Sequence, residues 1–181
     1  MSNLKLTPQD RQSIDFAEEE RKRLGNEGAI VHANKLNKIC AGRFVNATYT
    51  TSGAWGSTQI DIYTNYRDSD YYSSGNREIG IKKTGIYKIS AEVYARASCI
   101  IGLKIVRKKN DGTIQTLVNH WSSGSHIEIP VSIIKGLNAG DSIWFELYGE
   151  AGSAVNIEIT GNLGEAGLYG WDIINISTTE G

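Results

Sequence analysis

The stretch Gly-Leu-Asn-Ala-Gly-Asp-Ser-Ile-Trp-Phe-Glu-Leu-Tyr-Gly, residues 136–149, decides how the fold is interpreted. Its first half contains Asn-Ala-Gly-Asp, small and polar residues that form tight turns. Its second half alternates as a β-strand does. One side holds Ile143, Phe145 and Leu147, and the other holds Trp144, Glu146 and Tyr148. Large apolar residues on both sides of one strand predict that both sides are covered. One side would face the core of the domain, and the other would contact a partner.

Length and composition indicate one globular domain with a short appendage. The chain has 181 residues, of which 40% are hydrophobic and 22% are charged, and these are the proportions of a folded protein. The 20 glycines against 2 prolines, with many Tyr, Thr, Ser and Ile, favour short strands separated by turns. The formal net charge of −1 argues against nucleic acid or an anionic membrane as a partner.

Neither the cysteines nor the start of the chain carries a sign of export. Cys40 and Cys99 lie far apart and in no metal-ligand spacing. A disulfide is one alternative, and a free buried thiol at Cys99 is the one that we prefer. Residues 1–10 lack the apolar segment of a signal peptide, and no run approaches the ~20 apolar residues of a membrane span. We expect a soluble chain without membrane insertion, not exported by the usual N-terminal route if Met1 is the native start.

The first 40 residues differ in kind from the rest and predict a helical arm. Thr7 as N-cap, Pro8 at the first helical position and Asp10 near the positive end of the helix dipole predict a helix over 9–24. Its apolar stripe is too narrow for a globular core and consists of Ile14, Phe16, Ala17 and Leu24. The arm is either solvated or an attachment segment that orders against a partner or against copies of itself. A short helix or linker is predicted over 29–39.

From Arg43 onward the hydrophobic period changes to two, as in β-strands. Turn-forming residues separate the segments. Ten strands are predicted, at 43–50, 57–64, 77–82, 86–95, 98–107, 113–120, 126–134, 141–148, 154–160 and 168–177. So many short strands without intervening helices predict an all-β head over 41–181, built as a sandwich or barrel of antiparallel sheets.

Three motifs follow one another along this head. Residues 79–93 pass from an apolar strand through a Gly turn into Gly-Ile-Tyr and a second alternating strand. Residues 137–145 form a Gly-Asp strand entry, and residues 168–174, Leu-Tyr-Gly-Trp-Asp-Ile-Ile, combine aromatic, small and apolar residues. In this order and near this spacing, the motifs resemble the complement-type globular head of the tumour necrosis factor-like jelly-roll superfamily.

This resemblance implies a ten-stranded antiparallel jelly-roll sandwich, a homotrimer about a threefold axis, and recognition or scaffold roles without enzymatic activity. Two features depart from the family. Asp172 stands where the last strand of the family usually has an apolar residue, and no collagen-like stalk precedes the head. The second departure argues against an animal complement-like protein.

Apolar residues on both faces of several strands agree with self-association. One face of each sheet fills the sandwich, and the other needs a further partner because large exposed apolar patches are rare on monomers. We predict a trimer interface on strands 141–148 and 168–177, formed by Trp144, Tyr148, Tyr169 and Trp171.

Signatures of catalysis and of metal binding are missing from the sequence. It contains no Gly-x-Ser-x-Gly elbow, phosphate loop or dinucleotide fingerprint. His120 and His126 flank one loop, with Glu128 as the only nearby third ligand, and we interpret them as surface histidines rather than a metal pair. Asp68 and Asp70 belong to a tyrosine-rich loop rather than to strand ends that face a cleft, so they do not indicate acid–base chemistry. We therefore predict no cofactor, no metal and no enzymatic activity.

Two predicted loops carry residues suited to ligand contact. Tyrosine presents a rigid flat face and a hydroxyl at low entropic cost, which suits glycan or protein recognition. The candidate ligand-binding residues are Tyr66, Arg67, Asp68, Asp70, Tyr71 and Tyr72 in the first loop and Trp121 in the second. The alternative is that Tyr63 and Tyr66 pack under the jelly roll and that Trp121 covers a sheet edge.

An arm followed by a jelly-roll head is the layout of a tethered trimeric knob. By analogy of layout, we favour a bacteriophage virion component, such as a fibre, decoration or baseplate-associated protein. The arm would dock on other virion proteins and the head would face outward, toward host-surface saccharide. The alternatives are a bacterial surface or spore-coat adhesin and a purely structural trimer. An enzyme reading, a glycan hydrolase acting through Asp68 or Asp70, is the least favoured.

Overall fold

The described part of the chain, residues 39–124, 126–159 and 170–177 of a computed structural model, forms two antiparallel sheets. The chain divides into units of residues 1–37 and 38–181, and the described residues all belong to the second unit. The predicted arm helix over 9–24, with Ile14, Phe16, Ala17 and Leu24, lies outside the described residues. The same holds for residues 29–38 of the predicted linker.

Thirteen strands lie in the described residues. They are β1 (Ile39–Phe44), β2 (Thr48–Thr50), β3 (Ser57–Gln59), β4 (Ile62–Arg67), β5 (Tyr72–Ser74), β6 (Ile79–Ile81), β7 (Gly85–Arg96), β8 (Ile100–Lys108), β9 (Ile114–Ser122), β10 (Ile127–Leu137), β11 (Ser142–Glu150), β12 (Asn156–Ile159) and β13 (Trp171–Asn175).

Sheet A is organised around β7. This strand pairs with β10 on one side and with β13 and β12 on the other. In turn, β1 pairs with β13 and β4, and β2 pairs with β12. The strands β1 and β2 therefore follow each other along one strand position, and β13 and β12 along the next.

Sheet B has the order β5-β6-β11-β8-β9, with β3 also paired to β11. Between the sheets, β4 contacts β5 at one side of the sandwich and β9 contacts β10 at the other. These two sides matter for the site, because side chains on β4 and on β9 lie at opposite edges.

The predicted all-β antiparallel architecture is confirmed, but the predicted number of ten strands is not. The predicted strand 57–64 is split because the chain crosses between sheets at Ile60, which is fully buried and donates its N–H to the Phe145 carbonyl at 3.0 Å. The predicted strand 43–50 is split into β1 and β2, and β5 was not predicted. Since β1 begins at Ile39, it starts two residues before the predicted head at 41–181.

The inward faces of the two sheets form one hydrophobic core. Phe44 packs edge-on against Phe145 with ring centroids 5.2 Å apart, and Trp171 packs tilted against Phe145 at 6.0 Å. Ile143, Phe145 and Leu147 are fully buried in this core, which confirms the inward face of the strand in residues 136–149.

Candidate functional site

The Gly-Asp turn at residues 140–141 is a structural element. Gly140 has a φ of +92°, which non-glycine residues rarely adopt. The Asp141 carboxylate is 1% exposed and pairs with the Arg107 guanidinium at 2.5 Å. It also accepts hydrogen bonds from the N–H groups of Asn138 at 2.7 Å and Asn110 at 3.2 Å. The motif therefore fastens the turn to β8.

The predicted ligand residues between β4 and β5 fall into an exposed and a buried group. Tyr66 is 57% exposed, and Arg67 and Asp70 are also exposed. Tyr72 lies in the core, where burial raises the pKa of its hydroxyl, and its ring packs edge-on against Tyr87 at 6.1 Å. Tyr72 is therefore a core residue, because the unpredicted strand β5 turns it inward.

The remaining two residues of this loop support its fold. The Asp68 carboxylate accepts a hydrogen bond from the Asp70 N–H at 3.0 Å, which is a local turn contact. Tyr71 is half-buried, and the Lys83 ammonium lies 4.2 Å from its ring centroid. The exposed recognition group of this edge is thus reduced to Tyr66, Arg67 and Asp70, with Tyr63 56% exposed beside it. The alternative that Tyr63 and Tyr66 pack under the jelly roll is not what the structure shows.

The structure does not bring Trp121 together with the tyrosine-rich loop. Trp121 is 58% exposed and lies on β9, opposite Gly102 of β8. The loop follows β4, at the other side of the sandwich. Trp121 and the loop would therefore bind either two different ligands or two separate parts of one extended ligand.

Trp144 and Tyr148 lie on the outward face of sheet B, as predicted, and have polar partners within the chain. The Trp144 indole N–H donates to Glu146 Oε1 at 2.8 Å, and Trp144 is only 6% exposed. The half-buried Tyr148 ring lies over Gly102, and Lys104 Nζ is 4.6 Å from its centroid. Their role in a trimer interface stays a prediction.

Trp171, the third predicted interface residue, faces the core rather than outward. It is 3% exposed, and Gly42 on β1 makes room for it, because a Cβ at Gly42 would lie 2.7 Å from its ring. On β13 the side chain of Trp171 therefore points into the core, whereas an interface at Trp171 needs it to point outward. Tyr169 lies outside the described residues.

The outward face of sheet A carries a set of isoleucines that the sequence analysis did not single out. Ile134 on β10 is 62% exposed and Ile86 on β7 is 50% exposed. The pairing register places Ile39, Ile174, Lys88 and Ile134 in one row across the sheet. We call the outward set the isoleucine face; it comprises Ile39, Ile86, Ile134, Ile174 and Ile176. Alternation alone concealed it, because a period of two does not decide which side of a strand such as β13 turns inward.

Asp172 lies beside the isoleucine face, on the central strand β13. The residues aligned with it are Ala41 on β1, Ser90 on β7 and, beyond Ser90, Ser132 on β10. These side chains are small and uncharged, so the Asp172 carboxylate is the one charged group among these four aligned residues. Burial raises its pKa, and the nearby Lys88 ammonium lowers it to a lesser extent.

The other candidate chemical groups are separate from one another. Both His120 and His126 are exposed, and His126 stacks on Tyr94 at 6.2 Å. In the described ranges, no three His, Cys, Asp or Glu side chains come together as a metal site. Cys40 and Cys99 are free thiols, and burial raises the pKa of Cys40 to about 12. In the described part of the chain, no helix has the length and apolar character needed to cross a membrane.

Comparison with solved structures defines the class of fold. Murine APRIL, crystallised at pH 8.0, is 16% identical with a TM-score of 0.59, and the match covers 77% of this chain and 98% of that one. The Eiger TNF of S. frugiperda is 13% identical with a TM-score of 0.56, covering 80% of this chain and 96% of that one. The predicted tumour necrosis factor-like jelly roll is thereby confirmed as a fold. No family model and no curated protein matches the sequence.

Proposed function

We propose that the chain is a non-enzymatic, homotrimeric structural and recognition protein whose heads associate through the isoleucine face. The observation that carries this proposal is the exposure of Ile86 and Ile134, at 50% and 62%, on a face that already holds three half-buried isoleucines. Contiguous apolar patches on folded proteins mark interaction surfaces. Burial of such side chains contributes about 1.5–3 kcal/mol each.

A second and third copy of the chain are the occupants that fit this face best. It is a sheet surface with aliphatic side chains and few charges, which suits a heterologous contact that closes into a ring of copies. The sequence resemblance described above also implies a homotrimer. The outward face of sheet B is the weaker candidate, because Trp144 and Glu146 have their polar partners within the chain.

A pair of matched substitutions tests this interface. Ile134→Asp places a charge on the isoleucine face, and Ile114→Asp places the same charge on β9 of sheet B, where Ile114 is 65% exposed. Light scattering on the purified full chain should report a trimer for the wild type and Ile114→Asp, and a monomer for Ile134→Asp.

The competing interface on sheet B predicts a different result. If Trp144→Ala dissociates the trimer while Ile134→Asp leaves it intact, the subunits meet through sheet B. A wild-type chain that is monomeric at micromolar concentration contradicts trimerisation altogether. Circular dichroism on each variant separates loss of assembly from loss of folding.

Within this framework we propose that the protein is a bacteriophage virion component with its head facing outward. Its support is the layout of the chain, an arm followed by a jelly-roll head. Immunogold labelling of virus particles with antibodies against the head should mark the particle surface. Labelling of the bacterial envelope or spore coat instead would favour the adhesin alternative.

The ligand that we propose for the head is host-surface saccharide, held at the edge formed by Tyr66, Arg67 and Asp70. An exposed ring beside a guanidinium and a carboxylate can stack on a sugar and hydrogen-bond to its hydroxyl groups. The full chain, screened against bacterial cell-wall glycans, should bind one class of glycan and lose that binding in Tyr66→Ala. Trp55→Ala, which removes a 64% exposed ring outside the candidate residues, is the matched control and should bind as the wild type does. Unchanged binding by Tyr66→Ala contradicts the assignment.

A further inference from the structure

We propose that Asp172 makes assembly of the trimer dependent on pH, with acid favouring the trimer. This inference rests on the proposed association through the isoleucine face. It concerns the regulation of that face rather than its existence.

The position of Asp172 carries the inference. On β13, Asp172 lies two residues from Ile174, which belongs to the isoleucine face, and both side chains point outward. The small residues Ala41 and Ser90 on either side leave the carboxylate half-buried without covering it. A copy of the chain seated on the isoleucine face would cover Asp172 and remove its remaining water.

The groups around Asp172 do not provide a dedicated counter-charge. On β7, Lys88 and Glu92 flank the aligned Ser90 with opposite charges, and Lys88 is exposed. On β1 the nearest charged side chain is Arg43, which lies over the Tyr63 ring at 4.9 Å. From β4, Tyr66 is aligned with Ala41, and from β10 the aligned group is the Ser132 hydroxyl, 3.3 Å from that of Ser90. Among the described residues, no hydrogen bond to the Asp172 carboxylate offsets its burial.

The direction of the pH dependence follows from desolvation. Burial disfavours the charged form of a carboxyl group and raises its pKa. Burial already raises the pKa of Asp172 in the single chain, and association would raise it further. At pH values between the pKa of the free subunit and that of the assembled one, each subunit therefore takes up a proton on assembly. By linkage, the trimer is strongest below the pKa of the free subunit, and it weakens as the pH rises through the pKa of the assembled one.

Sedimentation equilibrium of the full chain at pH 5 and pH 8, in buffer with a metal chelator, tests the inference. For the wild type, the dissociation constant of the trimer should be at least about tenfold higher at pH 8. Asp172→Asn, which cannot ionise, should give equal constants at both pH values and a tighter trimer at pH 8. Asp172→Ser is the second variant, in case the amide disturbs folding. Glu158→Gln, an exposed outward carboxyl on β12 of the same sheet, should keep the wild-type dependence.

Three outcomes overturn the inference, and they are distinguishable. A wild-type trimer equally strong at both pH values removes the pH dependence and leaves the proposed interface standing. A dependence that persists in Asp172→Asn and Asp172→Ser assigns it to another group. A wild-type chain that is monomeric at both pH values contradicts the proposed trimer itself, and the inference with it.

Discussion

At the scale of single residues, Asp141 marks the limit of what a motif reveals. The Gly-Asp turn before a strand could be predicted from residues 138–141, because turn formers precede an alternating segment. Its ion pair with Arg107 could not, since the two residues are 34 positions apart and meet only when β8 pairs with β11. Likewise, the outward position of Asp172 depends on which face of β13 turns inward, and a period of two does not decide that.

Removal of the Asp141 carboxylate should destabilise the head strongly. Asp141→Ala leaves the Arg107 guanidinium buried without its counter-charge, and Arg107 Nε already has no partner in the described structure. Breaking a buried pair in this way costs about 3–5 kcal/mol. Urea denaturation measures the loss. As a control, Arg77→Ala removes the exposed pair between Arg77 and Asp61 and should change stability little; equal effects of the two variants contradict the prediction.

The two thiols should differ in reactivity. Cys40 is fully buried, and its raised pKa of about 12 leaves almost no thiolate at pH 8. Cys99, which we expected to be the buried thiol, is only partly buried, although burial raises its pKa as well. Iodoacetamide at pH 8 should modify Cys99 first and Cys40 only after denaturation. Mass spectrometry of peptides follows both sites, and modification of Cys40 at the rate of Cys99 would show that β1 opens readily.

At the scale of strands, alternation predicted the long central strands but did not predict β5. The strands β7, β8, β10 and β11 are long enough for the period of two to be visible. By contrast, β5 has three residues within a tyrosine-rich segment, so its pattern resembles a loop. The inward position of Trp171 on β13 depends on Gly42 of β1, which leaves room for the ring. The two strands are paired, but they are far apart in the sequence. Such close packing depends on the pairing register of the two strands, and one amino-acid sequence does not reveal that register.

Gly102 provides a test of register in sheet B. A Cβ at this position would lie 2.2 Å from the Tyr148 ring and 2.7 Å from the His120 carbonyl oxygen. Gly102→Ala should therefore destabilise the head by about 1–3 kcal/mol, as overpacking does. In Gly102→Ala/Tyr148→Ala the ring is gone but the backbone contact remains, so only part of the crowding is relieved. Gly75→Ala, where the added methyl group meets no atom within 4 Å, is the control in urea denaturation, and equal stability of Gly102→Ala and Gly75→Ala rules out this register.

At the scale of the whole molecule, the sequence predicted the class of fold, while the arm stays a prediction. The order of three motifs pointed to the jelly roll, and the similarity to murine APRIL and to Eiger confirms that fold. The sequence did not favour one outward face over the other for the proposed interface, because both carry large apolar residues. Only the three-dimensional arrangement separates Trp144, which is buried with its polar partner, from Ile134, which is 62% exposed.

The boundary between arm and head gives the last prediction. Since β1 begins at Ile39 and fully buried Cys40 pairs with Ile173, a chain that starts at residue 38 keeps the complete strand. Deletion of residues 1–37 should leave a folded trimer that no longer joins virus particles, because the proposed attachment segment is gone. Deletion of residues 1–41 removes Ile39 and Cys40 as well, and should lower the free energy of unfolding by about 2 kcal/mol or more. Light scattering measures the oligomeric state, urea denaturation measures the stability, and co-sedimentation with particles measures attachment. Particle binding by the chain without residues 1–37 would place attachment in the head.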